Sequence, residues 1–336
     1  MGRKNKGYVK GLHQQAYEQM QGKLAIGQSR AEDKRNGTTK DKIYSYSTYE
    51  TYWRHIRYFI KWLRKNHPEC TTIKKAKRYV PEWLGERANA GLSAWTIHTE
   101  LAALCKLYGI AADDPNRFSA PSRHREDIKR SRNDVSRDRH FSPSNNLELI
   151  KFCRATGVRR NVLQRLCGDD LWTRQRMVEE LEKKELSSFG SQLQILLREA
   201  LEMFPQYDYF LYHRRDKGGK SRFAPIIGPD TTMIVERMRN TAPDERVWHH
   251  VHDAADIHGY RAEYATALYK QFARPIADIP YDKINRGSGR KYQSEVYTCR
   301  KDEGRRKYDR RAMEVTSKAL GHNRVCVIAE SYLRNI

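Results

Sequence analysis

Five short stretches of this chain hold residue types that could together act on a phosphodiester. A-T-G-V-R-R carries Arg159 just after one predicted helix end and before another helical start. K-G-G-K-S-R-F-A-P places Lys217 at the tip of a turn between two strand-like runs. In I-H-G-Y-R, His258 and Arg261 stand three apart, on one face of a helix. L-G-H ends at His322, and Tyr332 follows ten positions later. The non-bridging oxygens of a phosphodiester carry negative charge that repels a nucleophile. The guanidinium forks of Arg159 and Arg261 suit the planar, bidentate task of neutralising them. His258 and His322 can donate to the same oxygens or carry the tyrosine proton. Tyr332 would attack and form a covalent phosphotyrosine, which stores the bond energy without metal or ATP.

Each residue also has an ordinary reading. Tyr332 could pack a last helix onto a core, and Arg159 could be a surface cation at a helix end. Arg160 is its neighbouring rival, and Lys220 is the rival of Lys217. The cluster W-H-H-V-H offers His249, His250 and His252, but without a fixed ligand spacing or a paired C-x-x-C or H-E-x-x-H. No metal and no cofactor are expected.

The ordered set T-G-V-R, K-G-G-K-S-R-F-A-P, H-G-Y-R, L-G-H and Tyr resembles the tyrosine recombinase (phage integrase) family, over roughly residues 44–336. The resemblance implies catalytic roles for Arg159, Lys217, His258, Arg261, His322 and Tyr332, with Lys217 protonating the leaving 5′ oxygen. It favours Arg159 over Arg160. It implies a site-specific DNA recombinase or integrase of a phage or integrative element, cleaving DNA through a 3′-phosphotyrosine and exchanging strands through a Holliday junction. The partners so implied are double-stranded DNA, a homotetramer in the synaptic complex from a monomer when free, and accessory DNA-bending or directionality proteins. Alternatives of the same fold are a type IB topoisomerase-like strand relaxer and a DNA-binding protein without cleavage. Two departures stand out. The family usually has an acid three residues after its first arginine, where this chain has Val162; Asp169 or Asp170 could substitute. The chain also carries insertions near 171–203 and 272–311.

Composition agrees with a polyanionic partner. Lys and Arg number 64 against 41 acids, a net of +23, far beyond what solubility needs. No stretch approaches the ~18 apolar residues of a membrane span. The opening M-G-R-K-N-K-G-Y-V-K has no apolar signal region. The six cysteines lack C-x-x-C spacing and suit a reducing cytoplasm, where the resemblance implies a bacterial, DNA-associated protein.

The elements that must position these residues are mainly helical with a small β-hairpin or sheet, an α+β class; the resemblance adds a C-shaped clamp of two DNA-binding domains. Residues 1–43 form a polar arm or linker. Residues 44–112 form a helical, SAM-like core-binding domain. In it, Tyr52, Ile56, Phe59, Ile60 and Leu63 make one stripe, and Ser47 and Glu50 have capping-box spacing. Pro81 interrupts the next helix, and Ile97, Leu101, Leu104 and Tyr108 line another. Residues 113–140 form a basic interdomain linker, with seven basic residues between 122 and 139. Residues 141–336 form the catalytic domain. D-K-G-G-K joins its strand-like runs, and Y-Q-S-E-V-Y-T-C-R in the second insertion predicts a further hairpin. Lys220, Arg222, Arg123, Arg125, Arg305 and Arg306 are the expected DNA contacts outside the catalytic set.

Overall fold

The computed structural model describes residues 10–111, 113–124, 141–183, 188–216, 219–279, 294–299, 304–322 and 324–333. The chain divides into two compact units, Met1–Asp127 and Ile128–Ile336.

The first unit is helical: α1 (Leu12–Gln21), α2 (Arg30–Arg35), α3 (Tyr46–Asn66), α4 (Ile73–Ala76), α5 (Val80–Asn89) and α6 (Ala94–Tyr108). Ile56, Phe59, Ile60 and Leu63 of α3 pack with Ile97, Leu101 and Leu104 of α6 in one core. Pro81 falls in the first turn of α5, where a missing N–H costs nothing. The cap of α3 is Ser45, in extended backbone, whose hydroxyl accepts from Thr48 N at 3.3 Å. Ser47 lies inside the first turn, so the expected Ser47/Glu50 box does not form.

The expectation of a polar arm over 1–43 is corrected over its described part. Leu12, Ala16 and Met20 recur every four residues along α1 and enter the α3/α6 core. Gln19 Nε2 donates to Leu107 O at 2.8 Å, and Leu24 bridges Ile43, itself buried. Residues 10–43 are therefore part of the bundle.

The second unit begins its described chain with α7 (Leu147–Thr156) and α8 (Arg160–Leu163), followed by β1 (Leu171–Thr173), α9 (Arg174–Glu182) and α10 (Ser188–Met203). Then come β2 (Tyr209–His213), β3 (Arg222–Pro225), α11 (Thr231–Arg239) and α12 (Ile257–Phe272). The strands pair antiparallel in the order β1-β2-β3, with His213 opposite Arg222. Residues 171–173, expected within a helical insertion, are thus a sheet strand, and the inserted helices begin at Arg174. Leu197 and Ala200 of α10, and Phe204 just after it, join the main core of this unit.

Helix α12 is central, with Ala262, Tyr264, Ala265 and Leu268 fully covered. The Tyr264 hydroxyl donates to Pro225 O at 2.9 Å, tying this helix to the sheet. Beyond it, β4 (Val296–Thr298) and β5 (Lys307–Asp309) form the hairpin that the glycine-rich insertion predicts. Asp309 caps α13 (Arg310–Ala319) and receives two guanidinium nitrogens of Arg274, at 2.8 and 3.0 Å. The last described helix is α14 (Cys326–Ser331). Among the described residues, no helix is long and apolar enough to cross a membrane.

Candidate active site

Arg159 owes its place to the glycine two residues before it. Gly157 ends α7 with φ +58°, and a Cβ there would lie 2.3 Å from the ring of Tyr264. Only a glycine lets the chain turn so closely under α12. Val158 is then buried, and Arg159 caps α8 from extended backbone. Its guanidinium pairs with Asp216, donates to Leu320 O at 3.2 Å, and approaches His322 Nε2 at 3.4 Å. Arg160 also lines the cleft, but its guanidinium donates to the carbonyls of His252, Asp253 and Ala255 and so holds that loop. The two neighbouring arginines therefore have separate tasks, and the T-G-V-R arginine is the one in the cluster.

Helix α12 supplies the next pair. Asp256 caps it by accepting from Gly259 N at 2.8 Å, with its carboxyl in the space a side chain at 259 would need. His258 stays exposed to the cleft, and Arg261, one turn on, is only 2% exposed. Arg261 uses all three nitrogens: Nη1 on Gly157 O, Nη2 on Leu320 O, and Nε on the Tyr332 hydroxyl at 3.3 Å. Burial draws this guanidinium below the usual arginine value, while the facing tyrosine opposes the shift. An arginine nonetheless stays charged in the working pH range.

The C-terminal end of α13 is the floor of the site. A helix end leaves carbonyls without internal partners and carries partial negative charge. Here Leu320 O accepts from Arg159 and Arg261, and Ala319 O accepts from Arg222 Nε at 2.7 Å. Gly321 follows at φ +69°, where a Cβ would meet Arg222 Nη1 at 2.7 Å. His322 is fixed by its backbone N–H on Ser317 O at 2.8 Å.

Tyr332 caps the end of α14, its N–H on Ile328 O and its carbonyl accepting from Thr266 Oγ1. The ten-residue interval from His322 holds a short loop and this one short helix. The Tyr332 ring is 5% exposed and lies between His258 and His322, with centroids at 5.4 and 5.3 Å. Its hydroxyl is 3.0 Å from His322 Nε2. Burial, then the charges of Arg261, Arg159 and Arg222, lower the His322 pKa to about 3, so the free protein holds it neutral. With Arg159 and the tyrosine hydroxyl both facing Nε2, the hydrogen-bond pattern assigns the proton to Nδ1 and leaves Nε2 as acceptor. Arg261 donates to the tyrosine oxygen, and the tyrosine can donate to His322. That geometry offers the hydroxyl one acceptor and one donor, the pair an attacking tyrosine needs.

The chain also contains a phage integrase N-terminal, SAM-like domain, the family model that matches residues 38–114. With this match ahead of the cluster just described, the chain resembles the tyrosine recombinase family in both of its parts. The crystal structure of XerA recombinase is similar over 95% of this chain and 94% of its own, at 12% identity and a TM-score of 0.26. No curated protein matches the sequence.

Within the second unit, the cleft brings together Arg159, His258, Arg261, His322 and Tyr332. Lys217 and Arg125 lie outside the described residues. Lys220 is exposed on the β2–β3 hairpin, and its carbonyl accepts from Asp216 N at 2.7 Å. Arg222, expected on DNA, is instead 8% exposed: it pairs with Asp216 and donates to His213 Nδ1 at 2.8 Å. Burial and the charge of Arg261 pull its pKa down to about 9, against the pull of Asp216. It serves the site from behind. Arg123 is exposed in the first unit, 4.9 Å over the Trp95 ring. Arg305 is exposed and Arg306 half-buried beside β5.

The acid facing Arg159 is Asp216, and neither suggested substitute takes that place. Asp169 pairs with Arg176 and Arg214, and Asp170 pairs with Arg214. Val162 is a core residue. Asp216 stands immediately before the hairpin lysine in D-K-G-G-K, which is the only signal the sequence carries for it. Of the three histidines considered for metal, His249 is exposed beside Glu245, and His252 Nδ1 accepts from Ala254 N at 3.1 Å.

Proposed function

We propose that this chain is a tyrosine recombinase that cleaves and rejoins DNA at specific sites through a covalent 3′-phosphotyrosine formed by Tyr332. The observation that carries the reading is the Tyr332 hydroxyl held between His322 Nε2 at 3.0 Å and Arg261 Nε at 3.3 Å, with Arg159 in the same cleft. Three guanidiniums, of Arg159, Arg222 and Arg261, share the single carboxylate of Asp216 and two helix-end carbonyls. The cluster is therefore receptive to a further anion, and a scissile phosphate is the anion a tyrosine nucleophile needs.

In the proposed step, Tyr332 Oη bonds to phosphorus while the bond from phosphorus to the 5′ oxygen breaks. The phenol proton passes to His322 Nε2. The leaving 5′ oxygen takes a proton from Lys217, the role the family resemblance gives it. Arg159, Arg261 and His258 face the non-bridging oxygens and oppose the charge that grows there. One ester replaces another, so a 5′ hydroxyl from a second duplex can reverse the step and complete an exchange through a Holliday junction. A tetramer on two duplexes would place four such sites together.

The test is a nicked duplex bearing the end sequences of the element that encodes the chain. Cleavage a few nucleotides 5′ of the nick, in the nicked strand, releases a short 5′-hydroxyl fragment and leaves the protein covalently bound, as a slow band on a denaturing gel. Formation of that band supports the reading. DNA binding without any band on such ends contradicts it in favour of a non-cleaving binder. Efficient relaxation of site-free supercoiled DNA by the monomer points to the topoisomerase-like alternative.

A further inference from the structure

The Asp216 carboxylate is 3% exposed, and one of its oxygens receives both Arg159 Nη1 and Arg222 Nη1. Its backbone closes the hairpin between β2 and β3. Its N–H donates to Lys220 O at 2.7 Å, and its carbonyl accepts from Gly219 N at 2.8 Å. Arg222 passes the connection on to Ala319 O and to His213. The turn that holds Asp216 is thus the one on which Lys217 is the next residue.

We propose that Asp216 is the positioning residue for Arg159, and that through it the placement of the lysine hairpin sets the placement of the arginine. The inference rests on the proposed cleavage reading. Arg159 and Arg222 are like charges brought together with little solvent between them, and the shared carboxylate is what holds them there. Without it, the two guanidiniums repel, and Arg159 keeps only Leu320 O and His322 as described partners on its Nη2 side. A displacement of about 1 Å in such a group can cost ~10²-fold in rate. The carboxylate's described partners are Arg159 and Arg222, not Tyr332, so in this inference its effect is carried by the arginine and depends on the charge that the arginine must meet.

That dependence gives the test. Single-turnover cleavage is measured for wild type and Asp216→Asn on the normal diester and on a scissile methylphosphonate, whose methyl group replaces one non-bridging oxygen and removes the negative charge. On the normal diester the variant should be ~10²-fold slower. On the uncharged substrate, where Arg159 has little left to neutralise, it should cleave within about threefold of wild type. Because Asp216→Asn leaves the buried Arg222 and the half-buried Arg159 unbalanced and could unfold, Asp216→Asn/Arg222→Gln, which restores the local charge balance, is run under the same criteria alongside thermal melting. Equal slowing on both substrates in a folded variant overturns the inference, since a general packing defect has no preference for charge. A wild-type rate on the normal diester overturns it as well. A wild type that forms no adduct on either substrate overturns the cleavage reading and this inference together.

Discussion

Nε2 of His322 lies 3.0 Å from the hydroxyl of Tyr332, in a pocket where three arginines and burial keep the imidazole neutral. The histidine can therefore act as proton acceptor in the free protein. Its pKa near 3, against an ordinary value of 6.5, also has a consequence for stability. Below pH 6.5 the unfolded chain gains a proton at this residue that the folded chain refuses. Folding stability is thus intact above that pH and is lost progressively as pH falls toward 3. On going from pH 7.5 to pH 5, wild type should lose more melting temperature than His322→Gln. His213, fully buried with the same sign of shift, is common to both proteins and cancels in the comparison. Parallel losses would show that His322 is not held neutral.

Gly157→Ala should damage the site through the fold. The substitution places a side chain at φ +58° and drives a Cβ to within 2.3 Å of the fully buried Tyr264. Left-handed backbone costs about 1–2 kcal/mol for a non-glycine residue, and overpacking adds about 1–3 kcal/mol. A loss of about 3 kcal/mol would lower the melting temperature of a unit this size by roughly 6–12 °C. Thermal denaturation checks it, and an unchanged midpoint would mean that α12 gives way more easily than its packing implies.

The residues that meet within one element were legible before the structure. His258 and Arg261 follow from helical spacing, and the pairing of β2 with β3 follows from strand-like runs around a glycine turn. What escaped was set by contacts distant in sequence. Asp216 reaches Arg159 across 57 positions, and an acid in a turn has no periodicity to announce a partner. Arg222 looked like a surface cation because β3 is only four residues long. All four are buried, so alternation could not separate an inner face from an outer one. Strand β1, three residues long, is too short to show a period. Helix α1 buries only one residue in four, Leu12, Ala16 and Met20, among polar neighbours, and so resembled an arm.

Cleavage should continue in excess chelator without magnesium. The charge facing the phosphate would come from Arg159 and Arg261, and the nucleophile would be activated by His322, so no proposed step calls for a Lewis acid. A cleavage step that stops on chelation and returns with a divalent ion would require a metal in the mechanism.

Basic residues around the second hairpin should add to DNA affinity without base selectivity. Arg305 is exposed there, with Arg306 and Lys307 beside it; Arg300 and Lys301 precede them, outside the described residues. Each phosphate contact contributes ~0.9 to the slope of log affinity against log salt, so neutralising all five and losing three or four contacts should flatten the slope by roughly 3 units. The melting transition should not move. An unchanged slope would take this hairpin off the DNA and leave contacts between protomers as its role.

The central claim is that Tyr332 is the nucleophile. The most direct measurement is to trap the covalent complex on a nicked duplex, digest the protein, and sequence the peptide that retains the nucleotide. The modified residue should be Tyr332, and Tyr332→Phe should bind the same DNA with unchanged affinity while forming no adduct, because only the attacking oxygen has gone. A nucleotide found on Tyr297 or Tyr308, or an adduct that survives Tyr332→Phe, would contradict the account.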